Sequence, residues 1–137
     1  MTTVGIQIKA NEAILVVLQR DDNGVISQTN QSTKYKIEDH LDNAQIRQFK
    51  DQINVALDAV KPDRIGIIAR VASAKGPMKV SPLSFKLEGI MQLYDKKKVE
   101  FVWAQTLSAF FKKSPTTLNP VHQYQKDAFE LALYLLN

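Results

Sequence analysis

The chain has 137 residues, of which 45% are hydrophobic and 23% are charged, and it contains no cysteine. This length predicts a single domain over residues 1–137 that buries its own core. The lack of cysteine excludes disulfides and cysteine-based zinc sites. The longest apolar run, Ala13–Leu18, is too short to cross a bilayer, and the start MTTVGIQI lacks the basic region of a signal peptide. We therefore expect a soluble, cytoplasmic domain with no membrane partner.

The formal net charge is +4, but it is unevenly distributed along the chain. Residues 61–113, called the basic block below, hold eleven Lys and Arg against four Asp and Glu, a net charge of +7, whereas the rest of the chain carries −3. Such asymmetry is typical of a surface that binds a polyanion. An ordinary solvated surface is the alternative that the charge pattern leaves open.

The first third of the chain predicts three strands. Apolar and polar residues alternate over Val4–Lys9, which is the pattern of a half-buried strand. The apolar run Ala13–Leu18 predicts a second strand, joined to the first by a tight turn. After the turn Asp21–Gly24, the polar segment Val25–Ile37 predicts a third strand at the edge of a sheet. These three strands would form an antiparallel meander.

The next segment changes to helical periodicity and then returns to a strand. Apolar residues recur every third or fourth position, at Ile46, Phe49, Ile53, Leu57 and Val60. Asp42 or Asn43 is the predicted N-cap, and Pro62 ends the helix because proline cannot continue it. The apolar run Ile65–Ala69 is typical of a buried parallel strand.

The remaining elements alternate between helices and one strand. A loop over Ala72–Val80 precedes a helix that Ser81 caps and that ends near Tyr94. Val99–Trp103 predicts the fifth strand, with Trp103 in the core, and Thr106 is the predicted cap of a short helix. A final helix over Val121–Leu136 is apolar nearly all round, so we expect it to be buried.

The predicted order is therefore β-β-β-α-β-α-β-α-α. Three meander strands followed by alternating strands and helices predict an α/β fold with a mixed five-stranded sheet and helices on both faces. This is the strand plan of the ribonuclease-H-like fold.

Three segments resemble the bacterial Holliday-junction resolvases. Val4–Ile8 resembles their first strand, in which a glycine precedes a catalytic aspartate by two positions. Pro62–Ile68 resembles their fourth-strand motif, in which a catalytic glutamate stands five residues after an aspartate. Asp127–Ala132 resembles their C-terminal helix, which carries two aspartates three residues apart. The three matches occur in the right order and span nearly the whole chain.

A closer likeness links the chain to a small proteobacterial family of ribonuclease-H-like proteins whose activity is not established. It rests on Lys9–Ala13, on Ser84–Glu88 and on the Lys75-Gly76 loop between them. This resemblance implies the fold and leaves the function open.

The resolvase resemblance identifies four vestigial catalytic positions. Enzymes of this fold hold two Mg²⁺ ions with about four carboxylates, which activate water and stabilise the leaving oxygen. Here the strand positions are Gln7, a neutral amide, and Ile68, which cannot bind a metal, while the helix positions are Asp127 and Glu130. The formal charge of the site falls from −4 to −2. We therefore expect no catalytic residue and no cofactor, with Mg²⁺ bound only if a residual site survives at Asp127 and Glu130. The alternative interpretation of these two carboxylates is a helix surface pair bonded to Gln7 or Lys126.

The densest group of basic residues beside the expected cleft lies between the fourth strand and the following helix. It comprises Arg70, Lys75, Lys79 and Lys86. Open α/β sheets bind ligands at such edges, and helix N-termini favour anions. We predict that these four residues bind an anion. The alternative is a surface loop whose lysines only favour solubility.

Three functions remain open at this point. The first is a catalytically silent ribonuclease-H-like module that binds a nucleic acid or another polyanion through the basic loop. The second is a protein-interaction or regulatory module, acting as a homodimer, that uses the edge strand Ser27–Lys36 or the Phe110-Phe111 region. The unpaired backbone groups of the edge strand could pair with a second chain. The third is a residual metal-dependent nuclease.

Overall fold

Six strands form one mixed sheet in the computed structural model, which describes residues 1–69 and 82–137. The strands are β1 Thr2–Lys9, β2 Glu12–Arg20, β3 Ile26–Gln28, β4 Thr33–Lys36, β5 Arg64–Ile68 and β6 Val99–Val102. β1, β5 and β6 are parallel neighbours, and β2 pairs antiparallel with β1. Both β3 and β4 pair antiparallel with β2. We call the end of the sheet where β1, β5 and β6 finish the carboxyl edge, and the opposite end the amino edge.

The predicted third strand, Val25–Ile37, is broken into two. Between β3 and β4 the chain turns, since Ser32 N donates to Thr29 O and Thr29 N donates to Val17 O. The Ser32 hydroxyl also accepts from Val17 N at 2.9 Å, in place of a ladder carbonyl. The sheet therefore has six strands where five were predicted, although β3 and β4 together fill the predicted position beside β2.

Four α-helices accompany the sheet within the described residues: α1 Asn43–Val60, α2 Pro82–Met91, α3 Ala104–Lys113 and α4 Lys126–Leu135. Asp42 caps α1 as predicted, because its side chain accepts from Ala44 N at 2.9 Å. Lys61 ends the helix in the left-handed conformation, at φ 51°. α2 ends three residues before the predicted limit at Tyr94. The predicted loop Ala72–Val80 and the predicted cap Ser81 lie outside the described residues.

Two helix starts differ from the prediction. α3 begins at Ala104 and not after Thr106, because Trp103 leaves β6 with an extended backbone and already occupies the N-cap position. Trp103 is also 52% exposed, so the prediction that it lies in the core is wrong. The last helix begins at Lys126 and not at Val121, because a 3₁₀ turn occupies Gln123–Gln125.

Helices cover both faces of the sheet, as predicted. On one face α1 and α2 contribute Phe49, Ile53, Leu57, Leu87 and Met91 to a core with the strands. On the other face α4 packs Phe129 and Leu133 against β2, and it packs Leu131 and Leu135 against residues of β6 and α3. No helix within the described ranges is long and apolar enough to cross a membrane.

The close contact between α4 and β1 positions the site described next. Thr3 Oγ1 donates to Ala132 O at 2.7 Å. A Cβ atom on Gly5 would clash with Ala128 O and would lie 2.7 Å from Ala132 N, so only glycine fits beneath the helix. The helix runs opposite to the strand, which places its first turn above Gln7 near the carboxyl edge.

Candidate functional site

Gln7 and Asp127 meet near the carboxyl edge of the sheet. Gln7 Nε2 donates to Asp127 Oδ2 at 2.8 Å, which joins β1 to the first turn of α4. This is one of the two partners that the sequence offered for Asp127. The group that contacts the carboxylate oxygen is therefore an amide NH₂, which donates a hydrogen bond and is not a metal ligand.

Ile68 lies beside Gln7 on the same face of the sheet, because the parallel register pairs Ile6 with Ile67 one residue earlier. Its side chain packs against an apolar cluster that includes Val102, Leu107 and Leu131. The strand position that carries a glutamate in the resolvase motif is therefore part of the core here.

Glu130 faces a different part of the surface. It lines a cavity of about 320 Å³ with Asn119, Gln123 and Lys126. Burial raises the pKa of the Glu130 carboxyl above its ordinary value, and Asp127 raises it further, whereas Lys126 lowers it. No hydrogen bond in the described part of the chain joins Glu130 to Gln7 or Asp127.

These four positions do not fit a pair of Mg²⁺ ions. Mg²⁺ takes oxygen ligands in near-octahedral geometry, and two such cations in one site require several carboxylates. Ile68 offers no ligand atom, and the Gln7 amide is neutral. Across residues 1–69 and 82–137, no three His, Cys, Asp or Glu side chains are grouped so that they could hold a metal ion.

Only Lys86 of the four predicted anion-binding residues is described by the structure. Arg70, Lys75 and Lys79 lie outside the described residues. Lys86 is exposed on α2, and its Nζ donates to His40 O and Nδ1, both at 3.0 Å. The ammonium group can only donate, so His40 Nδ1 is the acceptor. Lys86 thus links α2 to the segment before α1.

Two cations of the basic block are held in ion pairs. The Arg64 guanidinium binds Glu100 through two hydrogen bonds, at 2.9 and 2.7 Å. Lys96 Nζ lies 2.8 Å from Asp58 Oδ2. Glu100 is already counted in the net charge of +7, whereas Asp58 lies outside the block. Of these two ion pairs, therefore, only that of Lys96 with Asp58 lowers the positive charge that the block offers to a ligand below this count.

Trp103 is a residue whose exposure the sequence pattern did not predict. It follows β6 directly and therefore lies at the carboxyl edge. The segment Val99–Trp103 predicts a strand with Trp103 in the core, yet the last residue of an edge strand has fewer neighbours than a central one.

Comparison with solved structures assigns this fold to the ribonuclease-H-like class. Thermus thermophilus RuvC aligns with a TM-score of 0.69 at 11% identity, covering 97% of this chain and 92% of that one. The structure of T. thermophilus RuvC in complex with Holliday junction substrate gives 0.68 at 12% identity, covering 97% and 91%. The fowlpox virus Holliday junction resolvase gives 0.52 at 14% identity, covering 99% and 97%. The predicted fold class is therefore confirmed.

The chain belongs to a family described as protein of unknown function (DUF3010), whose model matches residues 1–135. No curated protein matches the chain at a significant level.

Proposed function

We propose that this protein is a ribonuclease-H-like module that binds a nucleic acid without cleaving it. RuvC of the same fold is seen with a Holliday junction substrate, which makes nucleic acid the first ligand to consider. The observation that carries the proposal is the bond between Gln7 Nε2 and Asp127 Oδ2. It satisfies the helix carboxylate with a neutral amide, at the position where a nuclease of this fold needs a metal ligand.

The charge distribution supports binding at the carboxyl edge. α1 and α3 begin after strands that end there, and α4 begins above Gln7, so the positive ends of these helix dipoles point to this edge. Loss of two carboxylates at Gln7 and Ile68 removes negative charge that would repel a phosphate backbone unless Mg²⁺ were bound. We propose that Arg70, Lys75, Lys79 and Lys86 make the phosphate contacts, without reading base sequence.

The test compares two triple variants by fluorescence anisotropy with labelled DNA and RNA at several salt concentrations. Changing Lys75, Lys79 and Lys86 to Ala is expected to reduce the log–log salt slope by about 2–3, at about 0.7–0.9 per lost contact. The matched control changes Lys96, Lys97 and Lys98 to Ala. It removes the same charge and is expected to do less, partly because Lys96 is paired with Asp58.

Equal effects of the two triple variants would indicate diffuse surface charge and no site at the basic loop. If the wild-type protein fails to bind any nucleic acid at low salt, the proposed function is wrong.

A homodimeric interaction module is the second candidate, favoured by the surface beside β4. A groove of about 500 Å³ lies between Tyr35 and the outer side of α1, where Val55 is 68% exposed. The edge strand itself is a weaker template than predicted, since it is interrupted and carries Lys34 and Lys36, charges that discourage strand pairing. We expect light scattering to detect a dimer at moderate concentration. A mass of 15.5 kDa at every accessible concentration would contradict this.

A further inference from the structure

A polar cleft of about 470 Å³ lies on the α4 side of the sheet. Two segments far apart in sequence form it: residues 28–34, where the third strand is interrupted, and residues 121–125, which precede α4. Its lining includes the side chains of Thr29, Asn30, Ser32 and Lys34. Among the described residues no carboxylate lines it, so Lys34 gives the cleft a positive charge. A ligand that complements this lining is anionic and carries several hydrogen-bond acceptors.

Gln125 provides a buried donor without an acceptor in this cleft. The residue is 3% exposed, and its Oε1 accepts from Gln28 Nε2 and from His122 N, both at 3.0 Å. These two bonds fix the amide orientation, because a flipped amide would oppose donor to donor. Nε2 then finds no acceptor within the described ranges of the chain. A buried donor without a partner is costly, so an acceptor oxygen in the cleft would stabilise it.

Two aromatic rings form the wall next to this donor. The His122 and Tyr124 rings stack, with centroids 5.6 Å apart and an interplanar angle of 8°. Lys34 Nζ lies 4.7 Å from the centroid of the Tyr124 ring. Tyr124 is 40% exposed. A stacked pair with an accessible surface is suited to contact a planar, unpaired base.

The sheet register places this cleft beside the vestigial site. Gln7 pairs with Ile14, and Ile14 pairs with Lys34, so all three lie in one row on the same face. Lys34 is therefore two strands from Gln7, a distance of about 10 Å at the usual spacing between strands. Ile14, which lies between them, is buried under α4, so a strand of nucleic acid that reaches both places would pass over the first turn of that helix.

We propose that this cleft binds one unpaired nucleotide of a nucleic-acid strand. Lys34 contacts the phosphate, Gln125 Nε2 donates to an oxygen of the nucleotide, and the base lies against the His122–Tyr124 pair. The inference rests on the proposed function and adds a preference that the basic loop does not provide. Single-stranded and branched nucleic acids expose unpaired bases, whereas a closed duplex does not.

Anisotropy with a labelled single-stranded oligonucleotide and with its duplex tests this proposal. We expect Tyr124→Leu to weaken single-strand binding at least about fivefold, because stacking on an aromatic ring contributes substantially per base. Lys34→Gln should weaken it about threefold at low salt, as expected for one lost phosphate contact. The matched control is Lys36→Gln, two residues along β4, where the lysine is paired with Glu38 and does not line the cleft. We expect it to leave single-strand binding within about 1.5-fold, as for a surface charge outside the site.

NMR of the wild-type protein gives a second readout that needs no variant. The Gln125 side-chain amide resonances should shift on addition of the oligonucleotide. The Asn11 side-chain amide, which already donates to Ile37 O at 2.8 Å, should not. Binding with unmoved Gln125 resonances and equal effects of Lys34→Gln and Lys36→Gln would overturn the cleft proposal and leave the proposed function standing. Equal affinity for duplex and single strand would also overturn it. No binding by the wild-type protein would overturn both.

Discussion

The two ends of α4 differ in how they are held. At the amino edge, Arg64 donates to Leu135 O at 3.0 Å and to Asn137 O at 3.1 Å, while also binding Glu100 through two bonds. These bonds satisfy carbonyls that a helix C-terminus otherwise leaves without partners, and they place a cation where the helix dipole favours one. At the carboxyl edge, a single side-chain bond from Gln7 to Asp127 joins the helix to the strand.

The difference distinguishes polar groups that stabilise the fold from polar groups that are available to bind a ligand. At the amino edge Arg64 is paired with Glu100 and Lys96 with Asp58, and Asp63 adds another link by accepting from Thr2 N at 2.7 Å. Near the carboxyl edge and in the neighbouring cleft, Lys34 and Trp103 are exposed, and Gln125 Nε2 has no acceptor in the described part of the chain. We therefore expect the loss of a paired side chain at the amino edge to change stability, and the loss of an exposed polar side chain near the carboxyl edge to change binding.

The largest effect is expected from rebuilding the metal site. The double change Gln7→Asp with Ile68→Glu should lower the free energy of unfolding by roughly 4 kcal/mol, because it places uncompensated carboxylates beside Asp127 and in an apolar cluster. Added Mg²⁺ should recover part of this loss, since a ligand that binds only the native state stabilises it. Thermal unfolding with and without Mg²⁺ measures both effects.

The matched control for that variant is Gln7→Asn with Ile68→Gln, which is polar and uncharged. Its stability should not respond to Mg²⁺. If Mg²⁺ raises the stability of the wild-type protein as much as that of the acidic double variant, then a metal site already exists, and the contrast between the two ends of α4 has been misread.

Gly5→Ala tests the close contact between β1 and the middle of α4, which lies between the two ends compared above. The new methyl group would meet the backbone of Ala128 and Ala132, which cannot move aside as a flexible side chain can. We expect a loss of about 3 kcal/mol, at the upper end of the usual cost of overpacking. Urea unfolding is the measurement. Gly89→Ala is the control, because nothing lies within 4 Å of its added Cβ and it should gain about 0.5–1 kcal/mol in helix propensity.

Glu100→Gln tests the amino edge through pH. Hydrogen bonding from Arg64 lowers the pKa of the Glu100 carboxyl below its ordinary value. A depressed carboxyl pKa stabilises the fold above the unfolded pKa, and this contribution is lost as the pH falls through the folded pKa. At pH 7 the variant should be about 1.5 kcal/mol less stable, allowing for the partial exposure of both side chains. The difference from wild type should shrink below about pH 4, near the ordinary pKa of glutamate. A difference that is constant from pH 7 to pH 3 would show that the ion pair does not contribute.

Much of the fold could be predicted because the elements have clear periodicity. The helical spacing from Ile46 to Val60 and the cap at Asp42 give α1 within a residue of its observed bounds. The prediction of one continuous third strand was wrong because Ser32 Oγ takes the place of a backbone acceptor for Val17 N, which the periodicity of the sequence does not reveal. The start of α4 was predicted too early, at Val121, because the sequence does not reveal that Gln125 is hydrogen-bonded to Gln28, 97 residues away.

Only the part of the candidate site that lies within a recognisable motif could be predicted from the sequence. The resemblance to the resolvases brought Gln7 and Asp127 together, and the structure joins them by a hydrogen bond. The cleft at Lys34 and Tyr124 has no such signal, since its two halves are distant in sequence and consist of common polar residues. Charge counting also assigned Arg64 to the basic block without revealing that Glu100 neutralises it.

The most direct test of the central claim incubates the wild-type protein with labelled four-way-junction, duplex and hybrid substrates in Mg²⁺, and follows binding and cleavage in the same samples. We predict bound and intact nucleic acid, since Gln7 and Ile68 do not supply the carboxylates that two metal ions require. Cleavage that EDTA abolishes and that Asp127→Asn removes would contradict it.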